Sequence, residues 1–221
     1  MSVRLAVTGS NLTGDVPFSA AIASEAGVSV ISSPAGERGD LTRLCMTLCD
    51  QQGLTPAAIQ EVIIDVGPGS YTGLRVAVTF VRFLQAFGSI SVRGVDSLAL
   101  LAHHACPQAA DGLLIRPLLD ARRGRFHTAC YQYTDGQLIE REAANASSTE
   151  DVLAALRPEE HVIVPAKLAE QLGDELRAHG VTAVVANQCT AAALLATGLP
   201  SFTASAEDLE PRYLMATYAE D

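Results

Sequence analysis

Hydrophobic positions along this chain come in short bursts punctuated by glycine, proline and small polar residues, and their spacing alternates between strand-like and helix-like. Arg4 to Thr8, Phe18 to Ile22 and Val28 to Ser32 read as three strands in succession, a meander whose first link is the turn-rich Gly9-Ser10-Asn11-Leu12-Thr13-Gly14. After Pro34-Ala35-Gly36 the period lengthens, and Leu41, Leu44, Cys45 and Leu48 fall on one face of a helix that Gly53 ends. Thr55-Pro56 supplies an N-cap and first-turn proline for one more short turn. Val62-Ile63-Ile64-Asp65-Val66 is β-branched almost throughout and predicts a strand covered on both faces. A glycine loop, a long helix running to Gly88, a strand over Ile90 to Val95 and a helix capped by Asp96 follow.

The second half repeats this order. Leu113 to Leu119, Arg125 to Tyr133 and Gln137 to Glu142 read as strands, with Asp135-Gly136 a strong hairpin turn. Ser147-Ser148-Thr149 caps a helix through Leu156, Val162 to Val164 is a strand, Lys167 to Ala178 a helix closed by Gly180, and Val181 to Ala186 a further strand. The repetition predicts a duplicated α/β fold whose halves meet near residues 103–112. The expected lobes are 1–105 and 106–221, with residues 187–221 returning to the first.

Composition narrows the class. With 48% hydrophobic and 18% charged residues the chain is not disordered. Its apolar runs fall far short of the roughly 20 residues of a membrane helix, and the start, Met1 to Val7, is too short for a signal peptide's hydrophobic region. A cytoplasmic address and no membrane partner are expected. The five cysteines include no C-x-x-C pair and read as buried reduced thiols. A formal charge of −10 repels free nucleic acid, so any RNA would have to be held by another subunit.

The strongest local signal is Gly67-Pro68-Gly69-Ser70-Tyr71-Thr72-Gly73-Leu74-Arg75, between a buried strand and a helix. Free amides at Gly67, Gly69 and Gly73, the hydroxyls of Ser70 and Thr72, and Arg75 one turn in could hold an anion or nucleotide phosphate. The G-x-G-x-x-x-G spacing is one residue too long for the dinucleotide fingerprint, and no P-loop lysine is present. The other reading is a tight turn whose glycines serve backbone angles alone.

This loop, with Ile64-Asp65-Val66 before it, resembles the G-P-G-S-[FY]-T-G-x-R stretch of the TsaB family. Gly94-Val95-Asp96-Ser97-Leu98, Leu119-Asp120-Ala121-Arg122-Arg123-Gly124 and Pro211-Arg212-Tyr213-Leu214 resemble three further family segments in the same order. The resemblance implies an actin-like (ASKHA) α/β fold: two RNase-H-like lobes with mixed β-sheets and flanking helices. It implies a non-catalytic subunit of tRNA threonylcarbamoyladenosine modification that binds and activates a TsaD-like catalytic subunit. A TsaE-like ATPase would join them, tRNA would be met only through the complex, and the chain would form a homodimer when alone. No resident cofactor is expected, ATP or ADP at the subunit boundary being the one candidate.

Departures from the family pattern sharpen that expectation. Thr8 stands where the first strand of the family carries an aspartate, and Arg38 to Leu44 lacks the family's His-Ser. A threonine cannot hold a hydrated Mg²⁺ as a carboxylate does. The five histidines show no H-x-x-x-H spacing, and adjacent His103-His104 reads as solvated surface. Asp120, Arg122 and Arg123 could edge a site, an ion pair at a strand end being the plainer account. No catalytic residue and no metal ligand is therefore assigned.

The long helix instead points to a partner. Val76, Ala77, Phe80, Val81, Phe83, Leu84 and Phe87 cover about half its circumference at about 100° per residue, wider than the roughly 100° stripe a sheet-packed helix needs. Arg75, Arg82 and Gln85 are expected on the opposite edge. The partner interface implied by the family comprises Val76, Phe80, Phe83 and Phe87 here with Leu41, Leu44 and Leu48 of the preceding helix. Two other functions stay open: an independent ATPase or kinase using Asp65 or Asp120 as its metal carboxylate, and a homodimeric structural module that has left the pathway.

Overall fold

The computed structural model describes residues 2–34, 39–107 and 110–215. The turn at Ala35-Gly36, Arg38, the middle of the 103–112 junction (108–109) and the end of the 187–221 segment (216–221) lie outside that set. The chain divides into two units, Met1–Ser97 with Gln188–Pro211, and Leu98–Asn187 with Arg212–Asp221.

In the first unit, β1 (Val3–Thr8), β2 (Ser19–Ser24) and β3 (Gly27–Ser32) form an antiparallel meander. β4 (Ile59–Asp65) and β5 (Ser91–Val95) then add parallel strands beside β1, and β11 (Phe202–Ala204) closes the far edge antiparallel to β5, giving the order β11-β5-β4-β1-β2-β3. α1 (Leu41–Gln52) starts where Asp40 accepts the Arg43 N–H and stops at Gly53, whose φ of 63° is the left-handed cap that glycine adopts without a Cβ penalty. α2 (Tyr71–Phe87) is capped by Ser70. Both helices bury one side on the same core: Leu41, Cys45, Leu48, Ala77, Val78 and Val81 pack with Leu5, Ile22, Val62 and Ile64. The strand expected to be covered on both faces is: Val62 through Asp65 are all buried.

The second unit repeats the plan. β6 (Leu114–Arg122), β7 (Arg125–Thr134) and β8 (Gln137–Ser148) form the meander; β9 (His161–Pro165) and β10 (Thr182–Ala186) add parallel to β6, in the order β10-β9-β6-β7-β8. Strand for strand this matches β5-β4-β1-β2-β3, with the same pairing senses. The β7–β8 turn has Asp135 and Gly136 at φ 51° and 72°, the conformation that suits a two-residue hairpin. α4 (Thr149–Ala155) and α5 (Ala166–Ala178) cover one face through Val152, Leu168, Leu172 and Leu176. α3 (Ser97–Ala105) links the halves in sequence. This is the α/β, two-lobed actin-like fold with mixed sheets.

β8 runs to Ser148, six residues beyond the expected Glu142, because β7 offers it paired positions as far back as Arg125. A short 3₁₀ segment, Ala191–Leu195, packs on β1 to β4, where its alanine-rich run gave no periodic signal. No helix among the described residues is long and apolar enough to cross a membrane, which is silent on membrane strands.

Candidate functional site

The glycine loop is the tightest junction in the first unit. β1 ends at Thr8 and the backbone of Gly9 lies directly against that of Gly73: a Cβ on Gly73 would stand 2.0 Å from the Gly9 oxygen, and one on Gly9 would stand 2.5 Å from the Gly73 oxygen. Gly69 meets Ser10 in the same manner, its Cβ position lying 2.6 Å from the Ser10 oxygen. These glycines are therefore required by backbone-to-backbone approach. The peptide before Pro68 is cis.

Several of the loop's amides donate inside the protein. Ser70 N–H donates to the Ser10 carbonyl at 2.7 Å, Gly67 N–H to Ser97 Oγ at 3.0 Å, and Gly73 N–H to Ser70 Oγ at 3.3 Å. In return, Ser97 N–H donates to the Gly67 carbonyl at 2.9 Å. Thr72 is exposed at the start of α2, and Arg75 reaches back to the Tyr71 hydroxyl at 3.0 Å, its guanidinium 5.4 Å from that ring's centroid. The arrangement fastens α2 and the start of α3 to the end of β1.

At its centre lies Asp65, fully buried at the end of β4. Its Oδ1 accepts from Gly9 N–H at 3.3 Å and its Oδ2 from Ser97 Oγ at 3.1 Å. Burial pushes its carboxyl above the ordinary aspartate value, against the opposing pull of hydrogen bonds from Ser10, Ser97, Thr8 and Gly9. The sequence offered Asp65 only as a metal carboxylate for an independent enzyme. A carboxylate enclosed this way is spent on protein donors and does not face a hydrated ion. Ser97 gave no sequence signal as its partner, because a serine at a strand-to-helix junction reads first as a cap.

The residues expected at a partner interface separate into three groups. Leu41 and Leu48 are 3% and 0% exposed and belong to the core, since their side of α1 faces the sheet; they offer nothing to a partner. Leu44 and Phe80 are half-buried and lean on the same core. Val76, Phe83 and Phe87 are outside, at 43%, 63% and 79% exposed, and the Phe83 and Phe87 rings pack at a tilt with centroids 4.7 Å apart. α2 is thus apolar on two faces, the buried one carrying Gly73, Leu74, Ala77, Val78 and Val81. Arg75 and Arg82 lie opposite the centre of the apolar arc at about 100° per residue, and they rim the exposed face, with Thr79 and Ala86 between them and the aromatics. Gln85 turns inward, and its Nε2 donates to the carbonyls of Ile90 and Ala204. A groove of about 460 Å³ between α1 and α2 is lined by Thr42, Arg75, Val76, Thr79, Phe80 and Phe83. Thr42 and exposed Met46 of α1, which borders a smaller adjoining cavity, were missed because each looks ordinary on a helix surface.

The remaining sequence candidates belong to the second unit. In the second unit Asp120 accepts the Arg122 backbone N–H at 2.7 Å, turning the chain through Arg122 and Arg123, both at positive φ (66° and 54°). His103 is buried, not solvated, with its ring 6.1 Å from that of Tyr133. The polar centre of the unit is instead Arg116, 3% exposed, which lies 3.0 Å from Glu160 and 2.8 Å from Glu142. Cys45, Cys130 and Cys189 are buried free thiols, each pushed up to about 12 chiefly by burial.

Comparison with known proteins gives this geometry its context. Residues 38–208 match the family described as TsaD, tRNA N6-adenosine threonylcarbamoyltransferase. A curated relative, the tRNA threonylcarbamoyladenosine biosynthesis protein TsaB of Bacillus subtilis (strain 168), is 40% identical over 90 residues, 41% of this chain and 37% of that protein. The chain thus spans well under half the length of that relative. Two solved structures cover 97% of this chain and 100% of their own: YeaZ from Pseudomonas aeruginosa, with a TM-score of 0.76 at 21% identity, and a protein with similarity to peptidase YeaZ from the same organism, at 0.78 and 23%. At those identities they establish the fold. With residues 38–208, well over half of its length, matched by that family, this chain belongs to the TsaD family.

Proposed function

We propose that this protein is an accessory, non-catalytic subunit of tRNA threonylcarbamoyladenosine biosynthesis, which binds and activates a TsaD-like catalytic subunit. The observation that carries the reading is the second apolar face of α2. Phe83 and Phe87 stand out in solution while the same helix already buries a full face in its own core, and an aromatic cluster of that kind marks a surface made for another protein. The name of the Bacillus subtilis relative supplies the pathway. In this reading the groove between α1 and α2 receives helices of the catalytic subunit, a TsaE-like ATPase joins the pair, and tRNA is met by the assembled complex. ATP or ADP would sit at the subunit boundary, and without the partner the same face would pair two copies of this chain.

The test is light scattering of this protein alone and mixed with the TsaD-like protein of the same cell, using Phe83→Asp/Phe87→Asp. These two positions are preferable to Phe80, which leans on the core and would confound binding with folding. Loss of a heterodimer in the variant, with unchanged melting, supports the reading. A wild-type pair that never associates, or a variant that binds as well as wild type, sinks it.

A further inference from the structure

The rim of the α2 face says which chemistry the occupant carries. Tyr71–Phe87 contains Arg75 and Arg82 and no aspartate or glutamate, in a chain with 25 acidic and 15 basic residues. Both arginines are exposed and stand a little less than two turns apart along one edge of the helix, with Val76, Phe83 and Phe87 along the other. The small residues Thr79 and Ala86 lie between the two edges and allow a second helix to approach closely. On α1 the exposed charges, Arg43 and Asp50, are one of each sign. The positive N-terminal end of the α2 dipole adds to the Arg75 edge. An acidic protein thus presents a positively edged apolar strip in one place.

We propose that this strip is built for a helix of a different protein, whose apolar ridge is flanked on one side by carboxylates spaced to meet Arg75 and Arg82, and that it selects such a partner over a second copy of this chain. The inference rests on the docking reading above and deepens it. Pairing α2 with α2 of a second copy would bring four arginines to the interface with no carboxylate from either helix, between two bodies that each carry a formal charge of −10. Like-charge juxtaposition of that kind acts against the wrong partner while complementary charge speeds the right one. The apolar edge supplies adhesion to either occupant; the arginine edge discriminates between them.

The experiment measures, by sedimentation equilibrium and surface binding, both self-association and affinity for the TsaD-like protein of the same cell, at low and high salt. Wild type is compared with Arg75→Glu/Arg82→Glu and with Phe83→Asp. Exposed charge pairs contribute a few-fold each, so reversing both arginines is expected to weaken the mixed complex by about tenfold or more. Raising salt should weaken the mixed complex and leave self-association unchanged or tighter, because it screens attraction in one and repulsion in the other. The reversed variant should self-associate no better than wild type, since four glutamates repel as four arginines do. The proposal is overturned if Phe83→Asp abolishes the mixed complex while charge reversal and salt leave it unmoved; the face is then an interface without charge selection. It is equally overturned if wild type binds itself more tightly than the partner at low salt. If Phe83→Asp too changes nothing, the docking reading has failed as well.

Discussion

Replacing Asp65 separates its two contributions, as a hydrogen-bond acceptor and as a buried charge. Asp65→Ala removes the acceptors of Gly9 N–H and Ser97 O–H in a fully enclosed site. A buried donor left without a partner costs about 1–3 kcal/mol, so the pair amounts to about 4 kcal/mol. For a chain of this length that corresponds to a fall in Tm of roughly 8–16 °C. Asp65→Asn keeps Oδ1 for Gly9, while its amide can donate to Ser97 Oγ, which already accepts from Gly67 N–H at 3.0 Å and has a second lone pair. The asparagine should therefore lie within about 1 kcal/mol of wild type near neutrality. The pH dependence then isolates the charge. Burial raises the folded carboxyl above its unfolded value. Such an acid contributes most stability below the unfolded value, and that contribution is lost as pH rises through the folded value. The difference in Tm between Asp65→Asn and wild type should thus move in favour of asparagine as pH rises from about 4 to 8, while Asp65→Ala stays low at low pH, where its lost acceptors still count. Thermal melts of the three proteins across that range decide it. If asparagine costs as much as alanine at every pH, the ionised carboxylate is itself what the fold needs, and the reasoning from burial is wrong.

Other consequences of the structure are as sharp. Gly73→Ala drives a methyl group into the Gly9 carbonyl and should cost more than about 2 kcal/mol in thermal or urea unfolding, although alanine is the better helix former; a stability equal to wild type would mean the Gly9–Gly73 approach is not as described. Arg116→Met leaves Glu160 buried without its cation and should destabilise by about 3–5 kcal/mol, whereas Arg116→Met/Glu160→Met should recover most of that loss; a double variant no better than the single would argue against a coupled pair. Leu48→Ala should cost about 2–5 kcal/mol, as in a packed core, and denaturant melts that found it harmless would put Leu48 back at a surface. Of the five thiols, half-exposed Cys106 should be the first labelled by a thiol reagent in native protein; rapid labelling of Cys45, Cys130 or Cys189 would contradict their burial.

Much of the fold was legible because it depends on short-range signals. Gly53 ends α1, Asp135-Gly136 marks the hairpin, and β-branched runs mark the buried strands. The duplicated order of elements followed from those signals alone. Long-range pairing was not legible. Nothing local marks Ala191–Leu195 as packing on β1 to β4, or Phe202–Ala204 as a strand, because β11 exists only through its pairing with β5. The site was half legible for the same reason. The glycines announced a special backbone, but an anion cradle and a tight backbone contact demand the same residues. What tells them apart is where the amides point, and Ser10 and Ser97, the residues that receive them, are 60 and 30 positions from Ser70 and Gly67.

The two apolar faces of α2 show how that junction bears on function. Periodicity merged them into one wide arc, since a moment vector sums faces that the fold keeps separate. Which face turns inward is decided at the helix's first turns. Gly73 touches Gly9, and Ala77 lies at the next turn against the same strand end, so only the side carrying small residues can come this close to β1. A bulky residue at either position would clash with the end of β1. With Gly73 and Ala77 inward, the aromatics are carried outward and held there by a helix anchored through the loop and, behind it, Asp65. The buried carboxylate and the exposed phenylalanines are thus two ends of one arrangement: the first fixes the strand end against which α2 is seated, and the second is what that seating leaves in solution.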